Sequence, residues 1–155
     1  TERVLHEQLA RINADRRENK PAGGTALNSA RFSDRQIEYF RRVIREHADV
    51  RWTFVLLHKP AWDTPGSNFQ EIERLLAARP YTVIAGHNHY YKHETRQGRD
   101  YITMGTTGAI AHQDGAGNMD HIAWVTLNGA EPRIALIKLT GLLDPSGHSG
   151  QTLAR

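Results

Sequence analysis

A chain of 155 residues is long enough for one domain with a real core, or for a large part of a bigger one. With 39% apolar and 24% charged residues it is globular rather than disordered, and without cysteine it forms neither disulfides nor thiolate metal sites, which leaves its redox compartment open. The formal charge of +3 gathers as arginine in ARINADRREN and YFRRVIRE, which read as solvated helix faces; with no aromatic residues interleaved for stacking, a nucleic-acid surface is not expected.

The chain opens on Thr1 rather than Met, so it is expected to be cut from something longer, and the lack of a signal peptide then assigns no compartment. Residues 2–18 read as a helix, with Val4, Leu5, Leu9 and Ile12 as a narrow apolar stripe, which makes 1–20 an amino-terminal helical segment. The stretch 21–32 breaks that pattern and reads as a loop. Ser33 then starts a second helix, and Gln36 completes a capping box. Ile37, Phe40, Val43 and Ile44 follow at helical spacing.

WTFVLL, 52–57, is a short apolar run rich in strand formers and predicts a strand buried on both faces. NFQEIERLLAARP predicts an amphipathic helix closed by Pro80. Tyr81–Ala85 predicts another buried strand, bounded by Pro80 and Gly86. Strand, helix, strand with a helix in front is an α/β pattern. Two hairpins follow, turning at Gln97-Gly98 and around Asn128-Gly129, with a glycine-rich polar loop between them. The segment 144–155 reads as a flexible tail, and no apolar run approaches the roughly 18 residues of a membrane span.

Both buried strands end in histidine. His58 follows WTFVLL directly, and His87 and His89 follow Ala85-Gly86. An isolated His-x-His is equally well two loop histidines with no task. Three imidazoles at two neighbouring strand ends favour a metal, because ligands in open α/β sheets bind beyond the carboxyl ends of the strands. Gly86 would let the backbone turn where a side chain would crowd the site. Tyr90 and His112, the latter with Asp114, are candidates for the substrate side. Asp120 and His121 are expected to begin a strand and are lesser candidates for a place near the metals; His93 is expected to be exposed, and His6, His47 and His148 look incidental.

LLHKP followed by VIAGHNHYY resembles the last two signature blocks of the calcineurin-like metallophosphoesterases, which include purple acid phosphatase-like enzymes. The match runs over about residues 30–128. The resemblance implies an α/β fold, part of a two-sheet sandwich flanked by helices (α/β/β/α layers), with 33–143 as the carboxyl-terminal part of the domain. It implies two divalent or trivalent metal ions (Mn, Fe or Zn), His58 and His87 binding one and His89 the other. The implied reaction is hydrolysis of phosphomonoesters or phosphodiesters by a metal-bound hydroxide.

The family's Asp-x-His, Gly-Asp-x-x-Asp and Gly-Asn-His blocks are absent from this sequence. Two divalent cations bring about four positive charges, and neutral imidazoles offset none of them. The expectation is therefore a carboxyl-terminal part, inactive alone, whose amino-terminal half is supplied in cis or in trans. An uncovered sheet face would favour self-association of the isolated chain. The alternative is a non-catalytic module binding at most one metal through His58, His87 and His89.

Overall fold

A computed structural model describes residues 30–139; the helix expected over 2–18 and the tail expected over 144–155 lie outside the described residues. Within them the chain is mixed α/β, with two helices and two sheets. No helix among the described residues is long and apolar enough to cross a membrane.

Helix α1 (Asp34–Glu46) starts at the capping box that Ser33 and Gln36 predict. The Gln36 amide donates to Ser33 Oγ at 3.2 Å, and the Ser33 amide donates to Gln36 Oε1 at 2.9 Å. The other end is closed from a distance. Arg79 donates to the carbonyls of His47 (3.0 Å) and Ile44 (2.6 Å), placing a cation where orphan carbonyls collect. Helix α2 (Phe69–Leu76) is tied to the entry of α1 through Asn68, whose side chain accepts from the Phe32 amide (2.8 Å) and donates to the Phe32 carbonyl (3.0 Å).

The main sheet runs in the order β1 (Thr53–Leu56), β2 (Tyr81–Ala85), β4 (Arg99–Thr103), β3 (Lys92–Arg96). β1, β2 and β4 are parallel, and β3 closes antiparallel onto β4 through the predicted turn, with Gln97 (φ 52°) and Gly98 (φ 70°) in the left-handed region. A second, two-stranded sheet pairs β5 (His121–Thr126) with β6 (Arg133–Lys138).

The core lies on one face of the main sheet. Val55, Val83 and Tyr101 point there, against Ile37 of α1, Ile72 and Leu76 of α2, and Trp62 of a 3-10 turn at Ala61–Asp63. Both helices therefore cover the same face. The opposite face carries Leu56, which is 72% exposed, beside Ile84. This corrects the expectation of a strand buried on both faces over 52–57. β1 is an edge strand, and its composition does not distinguish an edge from a centre; β2, paired on both sides, is the buried one. The β5–β6 hairpin exposes Trp124 and Leu127, among others, on its apolar surface.

One polar network crosses the core. The Tyr101 hydroxyl donates to Glu73 Oε1 at 2.8 Å, so the Tyr81 hydroxyl, 3.0 Å away, is the donor to Tyr101. Arg96 approaches the same Glu73 oxygen at 3.5 Å. Burial, and then the Tyr81 and Glu73 contacts, push the Tyr101 phenol far above its ordinary pKa, so it remains a donor at every physiological pH. Tyr101→Phe is expected to cost about 1–3 kcal/mol in urea unfolding, because it leaves a buried hydroxyl and a buried carboxylate oxygen short of a partner. Tyr39→Phe, on the exposed face of α1, should change stability by no more than about 0.5 kcal/mol.

Candidate metal centre

Parallel pairing carries past the ends of β1 and β2. The Leu57 amide donates to Ile84 O at 2.9 Å, and the Gly86 amide donates to His58 O at 3.0 Å. That register sets His58 and His87 side by side. The chain then crosses the carboxyl end of β4 to reach β3 at the far edge, so 86–91 lies along one rim of the sheet.

His87 sits in a strained bend. Its φ is +75°, and the Asn88 amide donates to Gly86 O at 2.9 Å, which together make the rare γ-turn with a left-handed central residue. His89 is also left-handed, at φ +51°. Conformations of this kind cost of order 1–3 kcal/mol and gather at functional sites. They also correct the role expected of Gly86. A Cβ added there meets only His58 O at 3.7 Å, an ordinary contact, and its φ is not positive; the histidines themselves take the unusual backbone.

The turn delivers His87 Nδ1 to 3.2 Å from His58 Nε2, with the rings edge to face at 73°. Two imidazoles held about 2.0–2.1 Å from one tetrahedral ion place their donor atoms roughly 3.4 Å apart, so this pair fits two positions of a single ion. Burial, and then the positive charge of Lys59 and the neighbouring His58, His89 and His112, hold the His87 pKa below its usual 6.5. A lowered pKa keeps the ring neutral and able to donate a lone pair over a wider pH range.

His89 does not join that pair. Its Nδ1 lies 2.6 Å from the Ile110 carbonyl, and its ring stacks on His112 with centroids 4.4 Å apart and planes 12° apart. A carbonyl only accepts, so Nδ1 carries the proton and Nε2 holds the lone pair. Among the described residues no group of three His, Cys, Asp or Glu side chains is arranged to hold a metal ion. The pair fits an ion in part, and completing it needs further donors.

Other candidates separate. Tyr90 does not stand free as a pocket wall: its ring lies on the glycine-rich loop, with the hydroxyl 2.7 Å from where a Cβ at Gly115 would sit. Asp114 is exposed. Asp120 accepts from the Thr106 hydroxyl and, at 3.0 Å, from the Gly108 amide. His121 is buried edge-on against Tyr91, its Nδ1 3.0 Å from the Met119 carbonyl. His93 is half-exposed and pairs with Asp100 at 2.9 Å, and His47 caps α1. His6 and His148 lie outside the described residues. Sequence reasoning missed Lys59 and the Ile110 carbonyl. Lys59 was visible as the residue after His58, but a backbone acceptor has no residue-type signature.

The lowered pKa of His87 carries a sign. Its folded-state value lies below its unfolded one, so the stability it contributes is complete above pH 6.5 and is lost as the pH falls through the folded value. An NMR titration of the His87 ring is expected to show a midpoint below 6.5, and Lys59→Gln should raise that midpoint by removing a positive neighbour. A wild-type midpoint at or above 6.5 contradicts the cause assigned.

No protein-family model matches the chain, and no curated protein is significantly similar to it. The functional reading therefore rests on the geometry of the strand-end histidines.

Proposed function

We propose that this chain is the carboxyl-terminal part of a calcineurin-like metallophosphoesterase, a hydrolase of phosphomonoesters or phosphodiesters. In it His58, His87 and His89 are ligands of a two-metal site for Mn, Fe or Zn. The observation that carries this reading is the pair of ring nitrogens 3.2 Å apart, delivered by adjacent parallel strands and by a left-handed turn at His87. On the same reading the main sheet with its helices is one side of a two-sheet sandwich, and β5–β6 belongs to the second sheet.

Such ions, when bound, acidify water and offset the charge of phosphoryl oxygens. The protein's own residues have separable tasks. His58 and His87 offer neutral lone pairs from one side. His89 offers Nε2, its proton being held at Nδ1 by the Ile110 carbonyl. Lys59 adds positive potential beside His87, which favours an anionic substrate.

Charge defines what must join them. Imidazoles cancel none of the roughly four charges of two divalent ions, so bridging carboxylates come from another segment, in cis or in trans. The exposed Leu56 edge and the apolar surface of β5–β6 are where such a segment, or another copy of the chain, would find cover.

Calorimetric zinc titration of the chain tests the site. His58→Ala and His87→Ala are each expected to weaken binding by more than about tenfold, the least that loss of even an outer-sphere partner costs. Wild-type affinity in both variants would remove the site. Zinc- or manganese-supplemented chain is expected not to turn over bis(p-nitrophenyl) phosphate, and metal-dependent turnover by it would refute the need for carboxylates. Reading the coding sequence upstream of Thr1 tests the parent: Asp-x-His, Gly-Asp-x-x-Asp and Gly-Asn-His in that order are expected.

One observation favours a second reading, a non-catalytic module holding a single ion. Only two donors converge among the described residues. That reading requires metal to raise thermal stability while the protein with its upstream segment shows no metal-dependent hydrolysis.

A further inference from the structure

The glycine-rich segment between β4 and β5 has nine of its residues exposed and contributes almost nothing to the core, yet its path is fixed at three levels. At its base, Thr106 and Asp120 form a parallel bridge, and the His121 amide donates to Thr106 O at 2.8 Å. Midway, the Tyr91 amide donates to Gly117 O at 2.8 Å. Here the backbone and the Tyr90 ring approach so closely that a Cβ at Gly117 would overlap both the Tyr91 carbonyl and the ring, with Tyr90 Cζ at 2.6 Å. At its tip, the Ile110 carbonyl and the His112 ring meet His89. The Ile110 side chain is 80% exposed, so burial of that side chain does not hold the tip in place.

We infer that this loop is a positioning device for His89: the Ile110 carbonyl fixes its tautomer, the His112 ring fixes its plane, and Gly117 seats the loop on Tyr90 and Tyr91. The inference rests on His89 being a metal ligand for its purpose, though not for its geometry. An imidazole ligand needs its lone pair on the nitrogen that faces the ion, and the partner of the other nitrogen decides that. A carboxylate or a carbonyl serves equally, and here the acceptor is main chain, presented by a loop that small residues allow to lie flat. His112 is then a positioning residue that stacks, rather than a ligand or a substrate contact. This also explains why Tyr90, beside the site in sequence, is turned onto the loop.

The test uses the full chain, labelled with 15N, and long-range proton–nitrogen correlation at pH 8 with and without zinc. Without metal, His89 is expected to carry its proton on Nδ1. Gly117→Ala is expected to introduce the Nε2-protonated tautomer at His89 and to weaken its zinc response about 10- to 100-fold, leaving the responses of His58 and His87 intact. A wild-type His89 protonated on Nε2, or a folded Gly117→Ala variant with unchanged tautomer and zinc response, overturns the inference. His112 supplies a second route that leaves the backbone alone, and it decides the matter where Gly117→Ala does not fold. His112→Ala should weaken the His89 response, and His112→Phe should restore it, because a flat ring stacks without a nitrogen. Phenylalanine behaving like alanine overturns the stacking role. If zinc shifts no histidine in the wild type, the metal-site reading fails by itself, and the metal-free tautomers still decide the loop's role.

Discussion

The hydrogen-bonded register between β1 and β2 is the constraint on which the site depends. Parallel strands place equivalent positions at the same height, so once Leu57 donates to Ile84 and Gly86 donates to His58, the residues after both strands must emerge together. A slip of one residue would turn every side chain of β1 to the other face, removing Val55 from the core and His58 from its partner. The packing of Val55 and Val83 against α2 thus holds two imidazoles in place without touching either. What the sheet cannot do is aim His87, which continues its strand direction. The left-handed turn at His87 performs that step, and its conformational cost falls on the residue being aimed.

That division of labour accounts for the uneven burial. The helix-covered face of the main sheet holds nearly all the buried apolar residues and the Tyr81–Tyr101–Glu73 network, which ties β2, β4 and α2 together under the site. The other face and the β5–β6 hairpin leave large apolar side chains open, Leu56 and Trp124 above all. A domain is built by burying two faces of a sheet; here the helix-covered face is finished, while the other is buried at Thr82 and Ile102 and open at Leu56.

What the sequence shows is what local chemistry decides. The Ser33–Gln36 capping box, the β2 strand between Pro80 and Gly86, and the Gln97-Gly98 turn each depend on residues within a few positions of one another, and each is found where it is expected. The nearness of the His58 and His87 rings has a comparable origin, because strand ends in neighbouring α/β units meet by topology. Relations set from afar are not legible. Whether WTFVLL is a central or an edge strand depends on what pairs with its free side, which the run itself does not encode. Gly86 is expected to turn the chain where a side chain would crowd the site, whereas the fold leaves room there for a Cβ and places the positive φ on histidine, one of the residue types enriched in that region. Tyr90 was read from its nearness to the histidines, but its partners, Gly115 and Gly117, come 25 or more positions later.

Electrostatics then narrows what this rim of the sheet is for. His58, His87, His89 and His112 stand close enough to act on one another, with Lys59 among them, and the balance at His87 is set by burial and positive neighbours. A cluster of this kind disfavours a proton at His87, through burial and then through its positive neighbours. It serves well for species that bring compensating charge. On the proposed reading the neutral imidazoles would take up a cation without protonation, and a cation so held would draw anions, whether bridging carboxylates or the phosphoryl oxygens of a substrate. On that reading Lys59 would reinforce the anion and oppose the cation, so metal would bind better together with carboxylate than to the imidazoles alone. On the proposed metal-site reading, acidic residues from outside the described structure would supply the negative charge that the imidazoles lack.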